Sequence, residues 1–152
     1  MDVSLIPPRP GTYVLFLTLG RGTEVPIGRL GTFFLPAGTL AYVGSARGSG
    51  GLQARLARHL RSPRPVVWHI DALQAMANPL GAWFAEGKDR RECLWATALS
   101  YLPGASCPVP GFGASDCHCR THLFHFLTLP DRAAFAQAAG ETIQEVVWNT
   151  LY

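Results

Sequence analysis

Lysine is almost missing from this chain: of thirteen basic residues, only Lys88 is not an arginine. Charge of any kind is sparse, at 15%, against an apolar fraction of 48% over 152 residues. That balance excludes a disordered tail and suits one folded domain with a sizeable core. No apolar run approaches the length of a membrane span. Pro7, Pro8, Pro10 and Gly11 interrupt the opening stretch, so it does not read as a signal peptide. Internal repeats and low-complexity linkers are lacking too. A single soluble, cytoplasmic domain over 1–152, with no membrane partner, is the expectation.

Cysteine is limited to Cys93, Cys107, Cys117 and Cys119. Without a secretory context these are read as buried thiols or a metal site, not as disulfides. The modest net charge of +3 hides an asymmetry. Residues 1–70 carry eight arginines against Asp2 and Glu24, whereas 71–152 carry five basic and eight acidic residues. The arginine fork matches phosphate oxygens in pairs, so the first half suits a polyanion partner. A GC-rich coding sequence would produce the same bias, and composition alone does not separate the two.

Thr12 to Leu19 is a continuous β-branched and aromatic run, which predicts a buried central strand. Glu24 to Gly28 and Gly31 to Leu35 read as short strands around a tight turn, and Thr39 to Val43 as a further strand. After the glycine-rich stretch 44–51, Leu52 to Arg61 is a helix. Leu52, Leu56 and Leu60 form its core stripe, while Arg55 and His59 share a neighbouring face. Pro63 and Pro65 are expected to end it. Asp71 to Ala77 reads as a short helix with Asp71 as N-cap, and Gly81 to Ala85 as a strand. A third helix, roughly 90–102, has Asp89 as cap. Residues 105–119 form a loop, His122 to Thr128 a strand, and about 131–151 a helix with a break at Gly140. The pattern predicts an α+β fold: a small, mainly antiparallel sheet with an inserted hairpin, flanked by helices.

The strongest signal is an ordered set. Gly11-Thr12-Tyr13 opens the first strand, Tyr42-Val43-Gly44 lies in a later one, and Arg55 and His59 follow on the helix. This resembles the GIY-YIG endonuclease superfamily. Gly38 to Ala46, Trp68-His69-Ile70-Asp71, Arg91-Glu92-Cys93 and Gly111 to Cys117 are similar to the hallmarks of one branch. That branch occurs alone or fused to DNA glycosylases of the endonuclease III kind. The likeness covers about residues 10–127. Tyr13 and Tyr42 are further apart than the family's two tyrosine motifs, which a hairpin inserted around Glu24 to Leu35 would explain. The family's late asparagine has no match, and the loop holding Ser115 and Asp116 stands in its region.

The resemblance implies an endonuclease dependent on Mg2+ or Mn2+, acting on DNA and placed in DNA repair. Tyr13 or Tyr42 would be the base, Arg55 the clamp on developing phosphoryl charge, and His59 a proton relay or phosphate contact. Glu92 would be the metal ligand. A tyrosine titrates near pH 10 in the open, so as a base it needs a cation beside it. Arg47, Arg58, Arg61, His69 and Ser115 are the expected nucleic-acid contacts. With little surface left for targeting, a homodimer or a DNA-targeting partner protein is expected.

Duller uses compete for several of these residues. Asp89-x-x-Glu92 has capping-box spacing, which would commit the carboxylate to the helix's own amides. His69 reads as a donor to a backbone carbonyl. Cys117, Cys119 and His122 invite a zinc reading, joined by Cys93 or Cys107. A Cys-x-Cys pair is tight for structural zinc, so loop-locking thiols are preferred here. Two other functions therefore stay open: a non-catalytic nucleic-acid-binding module, and a zinc-stabilised interaction domain.

Overall fold

The computed structural model describes residues 2–61 and 68–149. Five antiparallel strands form the main sheet in the order β6-β4-β1-β5-β7. They are β1 (Gly11–Leu19), β4 (Gly38–Ala46), β5 (Asn78–Glu86), β6 (Leu123–Phe126) and β7 (Gln144–Val147). β2 (Thr23–Ile27) and β3 (Gly31–Leu35) pair as the inserted hairpin. The helices are α1 (Gly51–Leu60), α2 (Glu92–Ser100) and α3 (Arg132–Ala139). This is the α+β architecture expected.

β1 lies between β4 and β5, and both of its faces are covered. Its unbroken apolar run follows from that. Alternation along the strand divides the core in two. Tyr13, Leu15, Leu17 and Leu19 pack with Leu52 and Leu56 of α1 and with Val25, Ile27 and Leu35 of the hairpin. Val14 and Phe16 face the other way, toward Trp95 and Leu99 of α2 and Phe135 of α3. Tyr42 shares Tyr13's face, while Ala41 and Val43 share Val14's. No described helix is long and apolar enough to cross a membrane.

Three expectations are corrected. The C-terminal helix ends at Gly140, which takes a left-handed φ of 73°, and the chain returns as β7 beside β5. Residues 150 and 151, the rest of that expected helix, lie outside the described residues, as do Pro63 and Pro65. Asp71 is not an N-cap of a helix over 71–77. It sits inside a 3-10 turn, His69–Ala72, and accepts from the Trp68 amide at 2.8 Å. Asp89 does not cap α2 either, because the helix begins at Glu92 with Arg91 at its N-cap and no side-chain cap.

Candidate active site

The site lies where β1 begins and β4 and β5 end, with Gly11 paired to Ala46 on one side and Glu86 on the other. Tyr13 is buried, 1% exposed, and its hydroxyl lies 2.6 Å from His59 Nε2. The rings of Tyr13, Tyr42 and His59 form a triangle with centroids 5.5–6.4 Å apart. Gly44 makes room for it, since a Cβ there would meet the Tyr13 hydroxyl oxygen at 2.4 Å. The glycine of the second motif is therefore a packing requirement of the first motif's tyrosine.

Burial pushes the Tyr13 hydroxyl well above its usual range, and Tyr42 adds to this while Arg55 opposes it. Tyr42 is pushed up to about 12, again by burial, with Arg55 opposing. Both phenols thus stay protonated near neutrality, and the Tyr13 hydroxyl is placed to donate to His59.

Arg55 donates to the Ser45 carbonyl at 2.8 Å, and its guanidinium lies 4.5 Å from the centroid of the Trp68 ring. Arg58 lies 3.8 Å from the same centroid and grips Asp71 through both carboxylate oxygens, at 3.0 and 3.1 Å. His69 accepts from the Gly113 amide through Nδ1 at 2.8 Å, rather than donating to a carbonyl as expected. Its neutral ring then carries the proton on Nε2, and burial lowers its pKa. Each residue of Trp68-His69-Ile70-Asp71 therefore has its own task, Ile70 filling the core.

Arg91-Glu92-Cys93 divides in the same way. Arg91 pairs with Glu141 at 2.7 Å, which fixes the start of α2. Glu92 accepts from Ser45 Oγ at 3.0 Å through Oε1, while its Oε2 is buried without a hydrogen-bond partner among the described residues. The capping role that would have consumed this carboxylate is not taken up. Ser45 was missed in the sequence, although its parity with Val43 on the strand aims it at α2.

Two adjoining clefts share Tyr42, Gly113 and Asp116. One, about 360 Å³, adds Arg55, Trp68, His69 and Ser115. The other, about 250 Å³, adds Ser45, Glu92, Cys93, Cys117 and His122. Tyr42, Arg55 and Glu92 thus converge, with Tyr13 and His59 behind them. Arg47 donates to the Lys88 carbonyl at 2.5 Å, outside both clefts. Arg61 joins Arg55 and Arg58 along a shallow groove beside α1. A larger cleft, about 400 Å³ between α2 and 105–121, contains no carboxylate and is a poorer candidate for phosphate chemistry.

Next to Glu92, Cys93, Cys117, Cys119 and His122 bring their ligand atoms within 4.8 Å of one another, close enough to hold a metal ion. This corrects the preference for loop-locking thiols. The tight Cys-x-Cys pair is completed by a thiol from α2, while Cys107 and His118 stay outside the cluster.

Residues 12–145 match a family described as a domain of unknown function, DUF123. The chain belongs to that family, which is GIY-YIG-like. No curated protein and no solved structure matches it.

Proposed function

We propose that this chain is a divalent-metal-dependent endonuclease that hydrolyses DNA phosphodiester bonds in cytoplasmic DNA repair. We place it in the branch found alone or fused to endonuclease III-type glycosylases. The observation that carries the reading is the Glu92 carboxylate. One oxygen is held by Ser45, and the other is buried, unpartnered and beside the cleft that Tyr42 lines. A buried polar atom without a partner is costly and calls for one. Mg2+ or Mn2+ fits that requirement, with Glu92 as ligand and Asp116 on the same cleft. When bound, such an ion would supply positive charge to polarise the phosphate and favour ionisation of a nearby hydroxyl.

The chain's own groups supply the rest. Arg55, on the adjoining cleft, would clamp the developing phosphoryl charge. Its carbonyl contact at Ser45 and the Trp68 ring hold it in place beforehand. Tyr42 is the phenol on the cleft; once its own proton has passed to solvent, which a bound cation would favour, it would take the proton of the attacking water. Tyr13 and His59, bonded to each other behind it, are positioning residues for that ring. His69, Ser115, Arg58, Arg61 and Arg47 would contact the DNA backbone around the clefts. A homodimer or a targeting protein would add the remaining DNA contacts.

The test is incubation of pure protein with plasmid and branched DNA in Mg2+ or Mn2+. Cleavage that depends on metal and disappears in Glu92→Gln and Arg55→Ala supports the reading. Undiminished cleavage in both variants overturns the assigned site. One observation favours a second reading, a binding module without catalysis: both phenols are held protonated in the free protein. Salt-dependent DNA binding with no cleavage under any metal would select it.

A further inference from the structure

We propose that Cys93, Cys117, Cys119 and His122 hold one structural zinc ion that clamps the loop 113–122 onto the start of α2. Cys117 Sγ lies 3.5 Å and Cys93 Sγ 3.9 Å from His122 Nε2. Zinc bonds of about 2.3 Å to sulfur and about 2.0–2.1 Å to nitrogen put tetrahedral neighbours about 3.5–3.8 Å apart. Those two distances stand near that spacing, and all four ligand atoms lie within 4.8 Å of one another. Three thiols and an imidazole are a soft set, which selects zinc over the hard cations that carboxylates prefer. Four protein ligands close the tetrahedron and leave no open position, so this site is structural.

The backbone is prepared for it. His122 donates its amide to Phe112 at 2.8 Å and accepts from Val43 at 2.9 Å, which fixes the imidazole's root against β4. Gly113, at φ 66°, passes close to both Tyr42 and His122, where a Cβ would crowd them at 3.0 and 3.2 Å. Cys93 follows Glu92 directly, and Asp116 precedes Cys117. A zinc ion here would therefore set the spacing of Glu92 and Asp116 across their cleft. The zinc site itself does not depend on the nuclease reading.

The experiment uses the full chain, purified without chelator or metal-affinity resin. Elemental analysis is expected to give about one zinc per chain. Replacement by cobalt should give the visible bands and thiolate charge-transfer absorption of a tetrahedral sulfur-rich site. Cys93→Ser and Cys117→Ser should each lower the zinc content severalfold, while Cys107→Ser keeps it. Should those variants fail to fold, thiol counting on the wild type decides. With zinc bound, Cys107 alone reacts, and a strong chelator releases three further thiols together with the metal. Zinc far below one per chain with all four thiols reactive, a disulfide within the cluster, or iron–sulfur absorption would overturn the proposal. None of these readouts involves DNA cleavage, so failure here and failure of the nuclease reading are separate results.

Discussion

Ser45 holds Glu92 with its side chain and Arg55 with its carbonyl, at 3.0 and 2.8 Å. One residue of β4 thus spans the sheet, fixing a carboxylate on the α2 side and a guanidinium on the α1 side. Their relative placement follows from a single strand position and not from two flexible side chains.

The Ser45–Glu92 contact gives the first prediction. Glu92→Gln should lower metal-dependent cleavage by more than about 100-fold, and Ser45→Ala by about 10- to 100-fold, the usual range for a group that orients a ligand. The same Glu92→Gln change should leave the melting temperature equal or higher, because it replaces a partly buried carboxylate with a neutral amide that costs less to bury. A large fall in melting temperature would mean that Glu92 is there for stability.

Arg55 and Arg58 should separate cleanly. Asp71 is almost wholly buried and Arg58 largely so, and the pair is bidentate. Arg58→Ala removes the bidentate partner of the buried Asp71 carboxylate and should cost about 1–3 kcal/mol in urea unfolding. Arg55→Ala should cost far less stability but lower the cleavage rate by about 10²–10³-fold, as for loss of one transition-state donor. Equal losses of stability from both would contradict the division.

Alkaline titration tests the buried phenols. An unfolded tyrosine ionises near pH 10, whereas Tyr42 does so at about 12 and Tyr13 well above 10. The folded state keeps these protons longer. The stabilisation is therefore complete below pH about 10 and declines as pH rises toward about 12. For Tyr42 the decline amounts to roughly 2–3 kcal/mol. Denaturant unfolding at several alkaline pH values should show the fall, and Tyr42→Phe should flatten part of it.

Gly44→Ala should destabilise the fold by about 1–3 kcal/mol, the range for overpacking. Its Cβ would meet the Tyr13 hydroxyl oxygen at 2.4 Å and the ring carbon bearing it at 2.5 Å. Thermal melting measures this. An unchanged melting temperature would show that β4 can shift away from Tyr13 freely.

Much of this architecture was legible because it is local. The continuous run of β1, the hairpin around Gly28–Leu30 and Leu52 and Leu56 of the α1 stripe are local signals that folding keeps, whereas the expected Leu60 is only partly buried and His59 is buried beside it. What escaped depends on contacts distant in sequence. Asp71 looked like a cap because its partner, Arg58, lies on another element. Asp89-x-x-Glu92 looked like a capping box because spacing does not reveal that Ser45 reaches Glu92 first. β7 was hidden because the alanine-rich helix before it suggested continuation, and only pairing with β5 makes four residues a strand. The metal cluster was undervalued for the same reason, its fourth ligand atom coming from α2.

The strand order has a consequence for synthesis. Both edges of the main sheet, β6 and β7, come from residues 123–147 and are synthesised after the strands they cover. Until they arrive, β4 and β5 each carry a bare hydrogen-bonding rim along an apolar strand. Such rims recruit strands from neighbouring nascent chains. Truncation shortly after residue 127 would thus keep β6 on β4 but leave the β5 rim bare, and that fragment should aggregate.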